Sequence, residues 1–314
     1  MTRRYDVLSI GRGSIDLYAN EIGVPFTEVK SFAAYVGGCP TNLAVATRRL
    51  GLPTALLTAV GDDLVGDFVL SFLDKEGIDT RFAKRKPGRR TSAFLLAIQP
   101  PDKFSLLPYR DNCADLEITV DDVQSAPISD AKAVFITGTG LSRQPSHDAM
   151  LFAAQQAKAN DTKVILDLDF RAELWPDERE FGNAIYSVLP LVNIVLGTSD
   201  EFERAQQDAE SMLSFGPEAV VMKRGPSSTL VFSAANRREE VPTFEVQVCN
   251  VLGAGDAFAG GFLYGYLKGW DFYRAARMGN ACGAMIVTRH GCATSCPLLK
   301  KSFVLLTNEE DSRF

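Results

Sequence analysis

No run in the chain approaches the roughly 20 consecutive apolar residues that a membrane-crossing helix requires, which argues against a helical membrane protein. No secretory leader is expected either. Met1-Thr2-Arg3-Arg4 leads straight into Tyr5-Asp6-Val7-Leu8-Ser9-Ile10, which reads as a first strand and not as a long apolar segment with a cleavage site. Positive charge is not in excess: 33 Lys and Arg against 39 Asp and Glu leave a net charge of −6. That balance argues against a broad nucleic-acid footprint. It leaves room for a small anionic ligand, because one local arginine can overrule a global charge. The six cysteines are scattered and are expected to be reduced, in a cytoplasmic protein. Cys292 and Cys296 with His290, and no second cluster, make a poor metal site. The Gly-Lys-Ser/Thr of a Walker loop is absent, and Gly11-Arg12-Gly13 has Asp16 where a dinucleotide fingerprint needs its third glycine. Neither repeats nor low-complexity tracts occur.

What is present is an alternation of strand and helix. At 314 residues and 46% apolar, the chain can bury a core without disulfides. Apolar strands are expected at 6–10, 54–60, 133–137, 163–167, 192–196 and 219–223. Helices are expected at 43–50, 67–76, 146–159, 253–267 and 272–287. Residues 229–233 and 240–244 read as an edge hairpin. Residues 91–99 and 104–110, joined by Pro100-Pro101-Asp102-Lys103, form another hairpin that breaks the alternation. It is expected to lie beside the main sheet, with further strands from about 14–35. The alternation predicts an α/β sheet with helices on both faces, and ligands beyond the C-terminal strand ends.

Two glycine-rich segments carry the chemistry. In Gly253-Ala254-Gly255-Asp256 the glycines let backbone N–H groups converge where a helix begins. Such a nest stabilises an oxyanion or a transferring phosphoryl group. Asp256 in the first turn can accept a proton from an attacking hydroxyl. The alternative is a tight turn with Asp256 as a cap. In Gly37-Gly38-Cys39-Pro40-Thr41-Asn42 the paired glycines admit a ligand close to backbone, and Asn42 offers donor and acceptor to a sugar hydroxyl. Here the alternative is a capped turn. Asp16, just after the first strand, can accept from a polyol or be a surface carboxylate.

These segments, with Val60-Gly61-Asp62-Asp63-Leu64-Val65-Gly66, resemble the signatures of the ribokinase-like, or PfkB, family of sugar kinases, in the right order along nearly the whole chain. The resemblance implies a single domain over 1–314: a ribokinase-like three-layer α/β/α body with a small β-sheet lid from segments about 14–35 and 91–113. It implies ATP and Mg²⁺, with transfer of the γ-phosphoryl group to a hydroxyl. Asp256 resembles the general base, and the amides of Gly253, Ala254 and Gly255 the anion hole. Asp16, Gly37, Gly38 and Asn42 resemble the sugar-binding set. Lys223 and Gly225 are expected beside the nucleotide phosphates, Asn280 on the nucleotide side, and Asp200 near Mg²⁺ through water. Two departures stand out: Asn250-Val251 in place of Asp-Thr, and Gly197 in place of the first Asn of Asn-x-x-Glu.

Arg110 and Arg171 follow the proposed lid hairpin and a central strand, so both are expected at the cleft. A guanidinium forks onto a carboxylate, which points to a sugar acid, although either arginine alone could be a structural ion pair. Lys30 is placed in the same set, at the base of the lid, with a solvated lysine as the alternative. Residues 11–18, 29–42, 167–175, 195–198 and 289–293 resemble the 5-dehydro-2-deoxygluconokinase subgroup, of inositol catabolism, which phosphorylates the terminal hydroxyl of a keto-deoxy sugar acid. A 2-keto-3-deoxygluconate kinase, another sugar kinase of the family and a non-catalytic sugar-acid binding protein are the alternatives. A lid sheet with a free edge suggests a homodimer.

Overall fold

The computed structural model describes residues 3–100, 103–235 and 238–307. Pro101 and Asp102 of the expected turn, and Met1 and Thr2, lie outside the described residues. The chain begins with β1 (Tyr5–Ile10), buried throughout. It then leaves the main body for β2 (Ser14–Ala19) and β3 (Phe32–Gly37) before entering α1 (Cys39–Arg49). α1 starts earlier than its apolar periodicity indicates, because Pro40 is tolerated in a first turn whose N–H groups are free anyway. β4 (Thr54–Leu57), β5 (Ala59–Gly61), α2 (Leu64–Lys75) and β6 (Lys84–Lys86) follow. The expected single strand over 54–60 therefore breaks at Thr58. β4 stays beside β1, while β5 turns away and pairs with β6.

β7 (Ser92–Gln99) and β8 (Lys103–Tyr109) form the second hairpin. The alternation resumes with α3 (Val120–Gln124), β9 (Ala131–Thr137), α4 (Ser146–Ala159), β10 (Lys163–Asp167) and α5 (Glu178–Val188). β11 (Ile194–Thr198), α6 (Ser199–Arg204), α7 (Ala209–Leu213) and β12 (Ala219–Lys223) continue it. β13 (Thr229–Ser233) and β14 (Glu239–Val241) make the edge hairpin. β14 stops before Pro242, which has no N–H for the ladder. The long helices α8 (Ala254–Leu267) and α9 (Phe272–Val287) precede a final α10 (Leu299–Thr307). Among the described residues no helix is long and apolar enough to cross a membrane.

The main sheet has the order β14-β13-β12-β11-β10-β9-β1-β4, parallel from β12 to β4 and antiparallel at β13 and β14. Alternate residues serve opposite faces. Val7, Ala133 and Phe135 pack under α1 and α8 with Leu43, Phe258 and Phe262. Leu8, Val134 and Ile136 pack under α4 and α5 with Met150 and Phe181. This is a three-layer α/β/α body. From β1 the chain runs outward to β4, then crosses back to β9 on the other side. The sheet order thus reverses between β1 and β9, and a crevice opens beyond their C-terminal ends. A second sheet, β3-β2-β7-β8, stands over that crevice. Its inner face packs Tyr18, Phe94 and Leu96 against Cys292 and Leu252, at the turn leading into α8.

Candidate active site

The inner face of the small sheet is set by its register. Asp16 lies beside Phe94 and opposite Tyr35, and Ser14 lies beside Ser92 and opposite Gly37. Gly37 is demanded by this packing: a Cβ there would fall 2.0 Å from the Asp16 carboxylate. Asp16 also accepts from Ser14 Oγ at 2.9 Å. Burial pushes its carboxyl up to about 6, against the pull of Arg12 and Ser14. Arg110, just past β8, is an inward neighbour. Its side chain is 5% exposed and paired with Asp115, which also takes Ser92 Oγ.

The second wall is the junction of α1 and α8, whose N-termini meet at the same place. Gly253 holds φ +80 at the head of α8, a left-handed conformation that suits glycine. Asp256 follows in the first turn. Asn42 Nδ2, on α1, donates to Asp256 Oδ2 at 2.7 Å. The buried Asn42 Oδ1 has no partner, so it is free to accept from a hydroxyl. Burial raises the Asp256 carboxyl, while hydrogen bonds from Asn42 and the Cys39 thiol draw it back. A half-buried carboxylate held this way is a competent base. Of the three amides expected in the anion hole, that of Ala254 already donates to Val251 O at 3.3 Å. The Gly253 and Gly255 amides remain available at the start of the helix, joined by that of Asp256.

The third wall comes from the ends of β10, β11 and β12. Lys223 Nζ stands 3.2 Å from Asp167 Oδ2, and a Cβ on Gly255 would lie 3.2 Å from the same nitrogen. The ammonium is thus against the head of α8. Burial works against its charge, but Asp167 and Glu201 outweigh burial and hold its pKa above the usual lysine range. Asp169 pairs with Arg171 at 2.8 Å and takes the Thr139 hydroxyl. Arg171 Nη1 also donates to Phe170 O at 2.7 Å.

The structure therefore brings together Asp16, Gly37, Gly38, Asn42, Arg110, Arg171, Lys223 and the Gly253–Asp256 turn. It does not bring in Lys30, which is exposed beyond the Ala19–Phe32 end of the small sheet, its backbone N–H on Glu21. Asp200 is exposed and pairs with Arg204 one helical turn on. The inward carboxylate of α6 is its neighbour Glu201, which accepts from Thr198 and from Phe170 N. Asn280 is buried with both ends engaged: Oδ1 accepts from Thr229, and Nδ2 donates to Pro242 O at 2.8 Å. It ties α9 to the edge hairpin. Gly225 is an exposed turn glycine with open space around it.

Four participants escaped the motif reading. Arg12, 7% exposed, lies with its guanidinium carbon 4.7 Å from the Phe94 ring centroid. Its position directly after β1, at a strand end, was the available signal. Cys39 reaches Asp256 because Gly38 ends the turn just before α1. Asp115 and Glu201 offered no pattern: each is one acidic residue in a run of several.

Comparison with known proteins agrees with this geometry. The family model of pfkB family carbohydrate kinases matches residues 4–299. A 5-dehydro-2-deoxygluconokinase of Clostridium perfringens is 34% identical, covering 98% of this chain and 95% of that protein. One of Shouchella clausii is 32% identical over 98% and 97%. Among solved structures, a fructokinase of Xylella fastidiosa with bound ATP superposes with a TM-score of 0.86 at 27% identity, covering 96% of this chain and 98% of that one. The E. coli protein described as ribokinase II, in complex with ATP and Mg²⁺, gives 0.87 at 26% identity, over 97% and 100%. The fold is ribokinase-like, the activity is that of a kinase acting on a small sugar or sugar acid, and the chain belongs to the pfkB family of carbohydrate kinases.

Proposed function

We propose that the protein phosphorylates the terminal hydroxyl of 5-dehydro-2-deoxygluconate, with ATP as donor. The observation that carries this reading is the gathering of Arg110 and Arg171 beneath the small sheet, across the crevice from Asp256. A neutral sugar has no need of a buried, half-paired guanidinium such as that of Arg110, whereas a sugar acid presents a carboxylate to it. The curated relatives named for this substrate support the same choice.

Asp16 and Asn42 Oδ1 hold the acceptor's hydroxyls. The terminal hydroxyl lies at Asp256, which takes its proton as the oxygen attacks the γ-phosphorus. One O–P bond forms, the bond to ADP breaks, and ADP leaves with the bridging oxygen. The amides at the head of α8 and the Lys223 ammonium meet the charge on the transferring group. Mg²⁺, when bound, neutralises phosphate oxygens. The residues fit a magnesium ion that keeps its waters: the carboxylates of Asp167 and Glu201 stand at the strand ends by Lys223 and the head of α8, the oxygen donors a hard cation takes. Glu201, facing Asp167 and Lys223, is the carboxylate placed to hold such a water. The small sheet acts as the lid that keeps water from competing for the phosphoryl group, and its free edge pairs two copies into a homodimer.

The test is ADP release with Mg-ATP on 5-dehydro-2-deoxygluconate, 2-keto-3-deoxygluconate, fructose and ribose, with products identified by mass. The first should be preferred; preference for a neutral sugar overturns the reading. Asp256→Asn should lower kcat by about 100-fold or more and leave acceptor binding in place. Unchanged turnover removes Asp256 as the base.

A further inference from the structure

Two of the guanidiniums under the small sheet are unlike the third. Arg171 has a partner on each terminal nitrogen, Asp169 and the Phe170 carbonyl, and a third of its side chain is exposed. Arg110 gives only one nitrogen to Asp115; its Nε and Nη1 are buried without a partner. Arg12 is more extreme. It is 7% exposed and its Nε is buried without a partner. Among the described residues its guanidinium makes no ion pair; its one defined contact is the Phe94 face at 4.7 Å.

The loop that carries Arg12 is fixed. Its carbonyl accepts from Thr41 Oγ1 at 2.9 Å, and Gly38 packs so closely on it that a Cβ would lie 2.4 Å from the Arg12 oxygen. Phe94 holds the guanidinium plane by cation–π stacking. Burying an unpaired guanidinium beside another one is costly. Burial and Arg110 together depress the Arg12 pKa, and Asp169 and Asp115 only partly offset them. An anion with two planar oxygens would complete both side chains at once. The phosphoryl group belongs elsewhere, at Lys223 and the head of α8. Asp16 lies beside Phe94, on which Arg12 stacks, so an acceptor held by Arg12 at its acid end and by Asp256 at its reacting end carries its hydroxyl-bearing middle past Asp16.

We infer that Arg12, stacked on Phe94 and acting with Arg110, is the residue that reads the acceptor's carboxylate, and that Arg171 frames the site through Asp169. This assignment rests on the sugar-acid reading of the function and deepens it.

The experiment compares the wild-type enzyme with Arg12→Met, Arg12→Lys and Arg171→Met. Each is assayed on 5-dehydro-2-deoxygluconate and on fructose, and each is melted with and without the acid in the absence of ATP. Arg12→Met should raise KM for the acid by about 10- to 100-fold, the scale of a lost charge-assisted hydrogen bond, and change fructose kinetics by a clearly smaller factor. Its melting temperature without ligand should equal or exceed wild type, because an unpaired buried charge is gone, and the acid should no longer raise it. Arg12→Lys keeps the charge but loses the fork, and should show an intermediate loss. Arg171→Met should cost less on KM than Arg12→Met. If wild type prefers the acid and Arg12→Met still does, with KM changed less than about threefold, Arg12 is not the reader. Equal losses on acid and neutral acceptors give it a purely structural role and reject the proposal. A wild-type enzyme with no preference for the acid overturns the functional reading and this assignment with it.

Discussion

Asp16 shows how this site trades stability for recognition. The residue is 9% exposed, its carboxyl is pressed against Gly37, and burial lifts its pKa to about 6 from an ordinary 3.8. The folded protein therefore binds that proton more tightly than the unfolded chain. The stability this contributes is complete below about pH 3.8 and is lost as pH rises through about 6. The displacement corresponds to about 3 kcal/mol. Asp16→Asn keeps a carbonyl for the Ser14 hydroxyl and removes the buried charge. It should raise the melting temperature at pH 7.5, with the gap closing towards pH 5. The same variant should lose kcat/KM, since the ionised carboxylate is the form that accepts from substrate hydroxyls. In wild type, kcat/KM should fall below about pH 6. Melting curves of the two proteins that stay parallel from pH 5 to 7.5 would show that Asp16 is not the buried charge described here.

The site depends on how closely its elements approach, above all α1 and α8. Asn42 and Asp256 sit on different helices, and their 2.7 Å hydrogen bond crosses the junction. Gly260, just over one turn along α8, sets that spacing: a Cβ there would lie 2.6 Å from the Ala46 Cβ on α1. Gly260→Val should push the helices apart and cost about 1–3 kcal/mol, the usual range for overpacking. It should also reduce kcat more than it raises KM, because the base moves while the lid-side contacts stay. A denaturant melt with parallel kinetics on the acid substrate checks both. A destabilised enzyme with unchanged kcat would show that the spacing of α1 and α8 does not set the base.

Element reading also marks where the sequence was legible. α4, β10, β12, β13 and α9 occupy the residues their periodicity indicates, because each is a long apolar pattern with clear ends. The bend at Thr58 was not legible: 54–60 is a β-prone run of Thr, Ala, Leu and Val, and no glycine or proline marks the point where β5 leaves the sheet. At the site, the glycine signatures located Asn42 and Asp256, since positive φ and close approach leave a trace in residue type. Glu201 left none, and Arg12 only its place after a strand end. An arginine in a turn and a glutamate in an acidic run look solvated until the fold shows what they face.

At the scale of the whole molecule, the small sheet is the part with unfinished surface. Its edge strand β8 has one neighbour, β7, and leaves Phe104, Leu107 and Tyr109 exposed, at 41%, 39% and 63%. β3, on the other edge, exposes Phe32 at 37%. A monomer normally blunts such an edge with charge, proline or a covering segment. Here Pro108 interrupts the outer ladder only near its end, and the apolar side chains precede and flank it. A second copy of the same sheet, related by a two-fold axis, would cover these residues in both partners at once. The prediction is a dimer by sedimentation equilibrium at micromolar protein. Leu107→Glu with Tyr109→Glu should shift it to monomer, placing like charges across the axis. The monomer should keep its main body, since the three-layer core lies outside this sheet, and should show a raised KM for the acid, because the strands carrying Asp16 and Phe94 and the edge next to Arg110 lose their support. Wild-type protein that sediments as a monomer throughout would reject the pairing. A dimer that survives both substitutions would place the interface on another face.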